Sequence, residues 1–287
     1  MTALARRLAS LQRQAGGAPS GPARATPVVA AGRGAAGHEA QIAQLRRLLG
    51  LRPATVVAVA SRDRHLDGEE IAPGLRYVER RQACTPPPDV LNLSVLRHDD
   101  LAASRILAFD TETTGLAGGT GTRAFMIGAA DWRDGGLRIR QLTTTTLAAE
   151  AAMLSEFARW LAPDTVLLSY NGKSYDRPLL STRYTLARLA DPLLGRAHLD
   201  LLHPVRRLYR GAWENCRLAT AERRLLGVVR EDDLPGSEAP AAWLHYLRGG
   251  SAANLRRVGH HNAQDLRSLA GLLTHLERLS AIGAGHA

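Results

Sequence analysis

From residue 101 onward, short apolar runs alternate with longer stretches whose apolar residues recur three and four apart. "RILAFDTET" (105–113), "AFMIGAADW" (124–132) and "LRIRQLTTTT" (137–146) predict strands, the last two joined by a turn at "RDGG". "AAEAAMLSEFARWLA" (148–162) predicts a helix and "TVLLSYN" (165–171) a strand. "YDRPLLSTRYTLARL" (175–189) predicts a helix with proline in its first turn, and "AHLDLL" (197–202) a short strand. "RLATAERRLLG" and "APAAWLHYLRGG" then read as helices. Asp265 opens a last one, "DLRSLAGLLTHL", whose Leu266, Leu269, Leu272, Leu273 and Leu276 form a buried stripe. Hairpin strands, then strand–helix alternation, then helices imply an α/β fold: a mixed five-stranded sheet flanked by helices.

The first hundred residues read differently. Residues 1–37 are rich in Ala, Gly, Arg and Pro and predict a disordered basic arm. "EAQIAQLRRLLG" (39–50) predicts a short helix and "ATVVAVA" (54–60) a strand, while "CTPPPDV" (84–90) excludes regular structure. Residues 38–100 form a small N-terminal extension whose role the pattern does not reveal. Residues 101–280 carry the main domain and 281–287 a tail.

Composition narrows the function classes. No apolar run approaches a membrane span, and "MTALARRLASLQRQ" lacks the apolar core of a secretory signal. The two cysteines, Cys84 and Cys216, have no CxxC spacing, which disfavours a zinc site or disulfide framework and suits a reducing cytoplasm. Net charge is +10, carried by arginine and a single lysine, Lys173. Seven Arg face one Glu in residues 1–50, and 23 basic face 18 acidic side chains in 101–287. Such an excess suits a polyanion partner, nucleic acid first, and on charge alone suits equally the plainer reading of a solvated arginine surface.

Four acids stand at element ends. Asp110 and Glu112, two apart on an apolar strand, share one face. Carboxylates held this close repel unless a cation neutralises them, and hard divalent ions with oxygen ligands, Mg²⁺ or Mn²⁺, suit that role. Asp176 follows the apolar strand "TVLLSYN" at the carboxyl edge, where open α/β sheets place ligand sites. Asp265 begins the last helix. A polar turn, a helix cap and a helix-dipole contact are the ordinary readings of each acid taken singly. Together they supply the carboxylates that a pair of metal ions needs for phosphoryl chemistry.

"FDTETTG", "NGKSYD" and "HHNAQD" resemble the three motifs of the DEDD superfamily of 3′–5′ exonucleases, which have an RNase H-like fold. Asn171, Tyr175 and Asp176 are similar to the second motif of the proofreading domains of B-family DNA polymerases. "FDTETTGLAGGTGTRAFMIG", "HLDLLHPVRRLYR", "CRLATAERRLLG" and "HNAQDLRSLA" resemble the YprB-like family of predicted exonucleases, over about residues 101–280. The resemblance implies that Asp110, Glu112, Asp176 and Asp265 bind two Mg²⁺ or Mn²⁺ ions for hydrolysis of a terminal phosphodiester in single-stranded nucleic acid. It implies a histidine that orients or deprotonates the water. Thr111, Thr113 and Gly115 would meet the terminal nucleotide, Asn171 would bind substrate or brace its motif, and Lys173 could reach a phosphate. With the four carboxylates bound to metal, the remaining side chains of 101–287 sum to +9, suited to a polyanion. A catalytically idle nucleic-acid-binding module and an endonuclease of the same fold are the alternatives.

The histidine doublet poses a choice. His260 stands five residues before Asp265, the spacing of histidine-type DEDD enzymes. His261 stands four before it, as in "HN..D" of the YprB-like resemblance, and on a continuous helix it would share a face with Asp265. Asn262 could instead cap the helix and leave both histidines in a loop. His261 is preferred. His198, Asp200 and His203 are assigned to structure, and Trp160, Trp243 and Tyr246 to core packing.

Overall fold

A computed structural model describes residues 63–115, 120–231 and 233–284. The expected arm (1–37), helix (39–50) and strand (54–60) lie outside the described residues. One mixed sheet is built from β1 (Glu69–Ala72), β2 (Leu75–Ala83), β5 (Ile106–Thr113), β6 (Ala124–Arg133), β7 (Gly136–Thr144), β8 (Val166–Ser169) and β9 (His198–Asp200). A separate pair joins β3 (Val90–Leu91) to β4 (Leu101–Ala102). The sheet order is β1-β2-β7-β6-β5-β8-β9. Pairs from β1 to β5 are antiparallel; β5–β8 and β8–β9 are parallel.

The sheet therefore has seven strands rather than the expected five. The two additional strands come from residues 69–83, within the supposed extension. β2 covers the edge of β7 in unbroken register, from Leu75↔Thr144 to Ala83↔Gly136. Its sequence, LRYVERRQA, hides this: only Leu75 is buried and its far half is largely exposed. β1 pairs only with Leu75–Tyr77, so the rest of β2 has an open edge and can be this polar because one face and one side meet water.

Helices α1 (Glu150–Arg159) and α2 (Asp176–Leu186) cross over between the parallel strands. α3 (Leu202–Tyr209), α4 (Leu218–Ala221), α5 (Ala239–Leu247) and α6 (Ala253–Ala284) follow. A π-helical turn, Glu222–Leu226, continues α4. The two larger of three buried clusters flank the sheet, and strand parity assigns the residues of β5 to them. Ile106 and Ala108 pack with the leucines of α6, whereas Leu107 and Phe109 pack with Met153, Phe157 and Leu180 of α1 and α2. Asp110 and Glu112 continue the first parity and Thr111 and Thr113 the second.

The last helix corrects a second expectation. α6 begins at Ala253, so Asp265 lies well inside it and Asn262 is no cap. The buried stripe already exists at Leu255 and Val258 and passes through Asn262, which is fully buried. A polar residue in the stripe disguises the helix start. Its five buried leucines, from Leu266 to Leu276, contribute roughly 1.5–3 kcal/mol each to anchoring α6. Among the described residues no helix is long and apolar enough to cross a membrane.

Candidate active site

At the end of β5, Asp110 and Glu112 face α6 while Thr111 and Thr113 face α2. Asp110 lies opposite Gly128 of β6. A Cβ on Gly128 would stand 2.1 Å from Asn262 Oδ1 and 2.8 Å from Leu266 Cδ1, so only glycine lets α6 approach this closely. Through that gap the Asn262 amide donates to Asp110 Oδ2 at 2.8 Å. Gln141 Nε2 holds Asn262 Oδ1 at 2.9 Å, and Arg80 donates to Gln141 Oε1 at 2.9 Å.

Asp176 arrives from the other side. After β8 the chain turns through Asn171, at φ 69°, into α2, whose first residue is Asp176. Asp200, at the end of β9, fastens this loop: its carboxylate accepts the backbone N–H groups of Asn171 (2.7 Å), Lys173 (3.0 Å) and Leu202 (3.1 Å). The Thr111 hydroxyl donates to Asp176 Oδ1. Tyr175 donates its hydroxyl to the Gly115 carbonyl (2.5 Å) and lies 3.1 Å from Thr113 Oγ1.

The α6 side holds a denser cluster. Asp265 Oδ1 accepts from Arg230, whose guanidinium also grips Glu222 through two bonds, 2.5 and 2.8 Å, and Asp233 Oδ2 at 3.1 Å. Glu222 is wholly buried in the π-helical turn and also accepts from the Ser268 hydroxyl. Both Asp233 oxygens lie 2.8–2.9 Å from His261 Nδ1. The same Nδ1 lies 3.1 Å from Arg230 Nη1, so the ring nitrogen stands between a carboxylate that accepts and a guanidinium that donates. His261 Nε2, the other ring nitrogen, lies 3.7 Å from Asp265 Oδ2.

Charge in this site is poorly compensated. Burial, then repulsion by Asp265, Asp176 and Glu112, raises the Asp110 carboxyl well above the usual range, against one opposing bond from Asn262. Burial and Asp265, Asp176 and Asp233 do the same to Glu112, opposed by Arg230. Burial pushes Asp176 up to about 6 despite the Thr111 hydroxyl. Asp265 is raised by burial, with Arg230 and His261 pulling against it. Desolvation lowers Arg230, but Glu222 and Asp265 outweigh it and hold the guanidinium firmly charged.

All four predicted acids thus come to one region, from β5, α2 and α6. Among the described residues no three acids, histidines or cysteines form a group ready to hold a metal ion. Asp110, Asp176 and Asp265 are each held by a protein donor instead. The oxygen-only donor set, buried and mutually repelling, still matches a hard divalent cation in chemistry. His261 sits among these acids, whereas His260 is exposed on the wall of the neighbouring cleft. Thr111 and Thr113 are buried and bonded within the protein, and Asn171 and Lys173 project from the fastened loop into solvent. Gly115 contributes its carbonyl to Tyr175. The sequence reading missed Glu222, Arg230, Asp233 and Asn262. The charge-dense "REDD" at 230–233 before "LPG" was the one available signal.

Residues 107–277 match the family model of the RNase H superfamily. The chain is 36% identical over 176 residues to the uncharacterized protein YprB of Bacillus subtilis, a match covering 61% of this chain and 42% of that protein. Among solved structures it is similar to the family B DNA polymerase of Pyrobaculum calidifontis, at TM-score 0.45 and 18% identity, over 61% of this chain and 27% of the polymerase. It is likewise similar to exonuclease I, at TM-score 0.40 and 17% identity, over 63% of this chain and 43% of that one.

Proposed function

Because the chain belongs to the RNase H superfamily, we propose that it is a metal-dependent 3′–5′ exonuclease acting on single-stranded nucleic acid. The observation that carries this reading is the convergence of four carboxylates, two buried and two half-buried, whose charges repel. Asp110, Glu112, Asp176 and Asp265 would hold divalent ions, Mg²⁺ or Mn²⁺, which when bound supply neutralisation of phosphate charge and acidification of water. The chain's own residues then have separable tasks. His261, its Nδ1 beside Asp233, presents Nε2 to take a proton from the attacking water. Arg230 holds one oxygen of Asp265 and leaves the other facing His261. Asn262 orients Asp110, and Thr111 orients Asp176. Tyr175 and Thr113 brace the Gly115 carbonyl beside the place where a terminal nucleotide would lie. Asn171 and Lys173, projecting from the loop fixed by Asp200, are positioned to meet substrate.

The test is a panel of 3′-labelled and 5′-labelled DNA and RNA strands with Mg²⁺, Mn²⁺ or chelator. Stepwise release of mononucleotides from the 3′ end is expected, abolished by chelator and by Asp110→Ala. Equal binding by wild type and Asp110→Ala with no cleavage by either would overturn the enzyme reading. Cuts in a circular strand would instead make the protein an endonuclease.

A further inference from the structure

The four carboxylates do not account for the cleft beside His261. It measures about 510 Å³, within the roughly 300–1,000 Å³ of ligand-sized sites. One wall is formed by residues 228–231 with Asp233 and Leu234. The other is a stripe of α6 formed by Arg257, His260, Gln264 and Arg267. These positions, three or four residues apart, lie on one helix face and span about 15 Å. That is several times the roughly 3.4 Å rise per nucleotide of a stacked strand. Every side chain on the stripe can donate a hydrogen bond and none is a carboxylate. Arg267 donates to the side-chain oxygens of Gln82 and Gln264, and among the described residues no carboxylate pairs with it.

The cleft opens on the acid cluster, because Arg230 and His261 line it and both adjoin Asp265. Among the described residues of the opposite wall, Asp233 is committed to His261 and Arg230, and Glu231 is a further carboxylate. Among the described residues no Phe, Tyr or Trp lines the cleft, so it lacks the large stacking platforms that grip bases.

We infer that this cleft binds the sugar–phosphate backbone of a single polynucleotide strand beside the scissile bond, with Arg257, His260 and Arg267 meeting phosphates and the bases left unread. This rests on the nuclease reading and assigns His260 to substrate and His261 to chemistry. Contacts of this kind are steeply salt-dependent and indifferent to sequence.

The experiment measures binding of fluorescent oligo(dT) and oligo(dA) to the full chain carrying Asp110→Ala, in chelator, across a salt series. Adding Arg257→Gln and Arg267→Gln together should weaken binding roughly tenfold and lower the salt slope by about 1.4, since each lost phosphate contact in a single strand is worth about 0.7. Oligo(dT) and oligo(dA) should bind alike. Arg206→Gln with Arg210→Gln, on and just past α3 and outside the lining of the cleft, should leave affinity and slope unchanged. Should Arg267→Gln disturb folding in a thermal melt, Arg257→Glu at its exposed helical position replaces the pair. Unchanged affinity and slope in the cleft variants, an equal loss in the α3 pair, a tenfold preference between the two oligonucleotides, or no binding by the Asp110→Ala parent each overturns the inference. Cleavage by wild type is scored separately. A cleft effect without metal-dependent cleavage refutes the nuclease reading alone; cleavage without a cleft effect refutes the cleft alone.

Discussion

Replacing Asp176 by asparagine should stabilise the metal-free protein. The side chain is 7% exposed and its carboxyl is pushed up to about 6 from an ordinary 3.8. A raised value means that the folded protein prefers the neutral acid. Stability is therefore fully present below the unfolded value and falls as pH rises through the folded one. At pH 7.5 the accumulated penalty is about 3 kcal/mol, from roughly 1.4 kcal/mol per pH unit of displacement. At pH 5 the same arithmetic leaves about half of it. Asparagine carries no charge and keeps an oxygen for the Thr111 hydroxyl, so most of the penalty should vanish. Melts in chelator should show a gain of about 2–3 kcal/mol at pH 7.5, some 4–12 °C in a domain of this size, shrinking to roughly half at pH 5. Mn²⁺ should raise the melting temperature of wild type and scarcely move the variant, which should also be inactive. A gain of the same size at both pH values, or a loss at pH 7.5, would refute the claim that buried, uncompensated charge burdens this site.

Asp233→Asn should lower kcat roughly 10- to 100-fold with little change in KM, by releasing the His261 ring, and Asp233→Glu should recover part of it. On the same assay His261→Ala should lose far more kcat than His260→Ala; the reverse order would exchange their roles. Gly128→Ala should cost about 1–3 kcal/mol in denaturant melts and reduce activity, because its Cβ displaces the Asn262 that steadies Asp110. Asp200→Asn should cost about 2 kcal/mol and weaken catalysis by loosening the Asn171–Tyr175 loop, since an amide has one acceptor oxygen for three N–H groups. Wild-type stability in that variant would make Asp200 dispensable.

The acids were readable because each follows from a local rule. Asp110 and Glu112 share a strand face by period two, and Asp176 and Asp265 sit on elements whose apolar patterns point them to the same edge. The residues that hold those acids obey no local rule. Arg230 joins Glu222, eight residues away, to Asp265, thirty-five away, and does so from irregular chain beside a π-helical turn. No periodicity announces such a pairing. β2 went unread because its exposed edge tolerates LRYVERRQA. The start of α6 went unread because Asn262 occupies a core position for the sake of Asp110. In both places a polar residue stands where the pattern of a strand or helix leads one to expect an apolar one.

The pairing of β2 with β7 bears on how the domain behaves when it is cut. The family match begins at residue 107, which invites truncation just upstream of it. A chain begun there would lose Leu75–Ala83 and lay bare the full hydrogen-bonding row of β7, beside Leu137, Ile139 and Leu142. An open edge of that length is a template for a neighbouring molecule's strand. Such a fragment would assemble into insoluble particles while keeping every acid of the site, and its inactivity would say nothing about the chemistry.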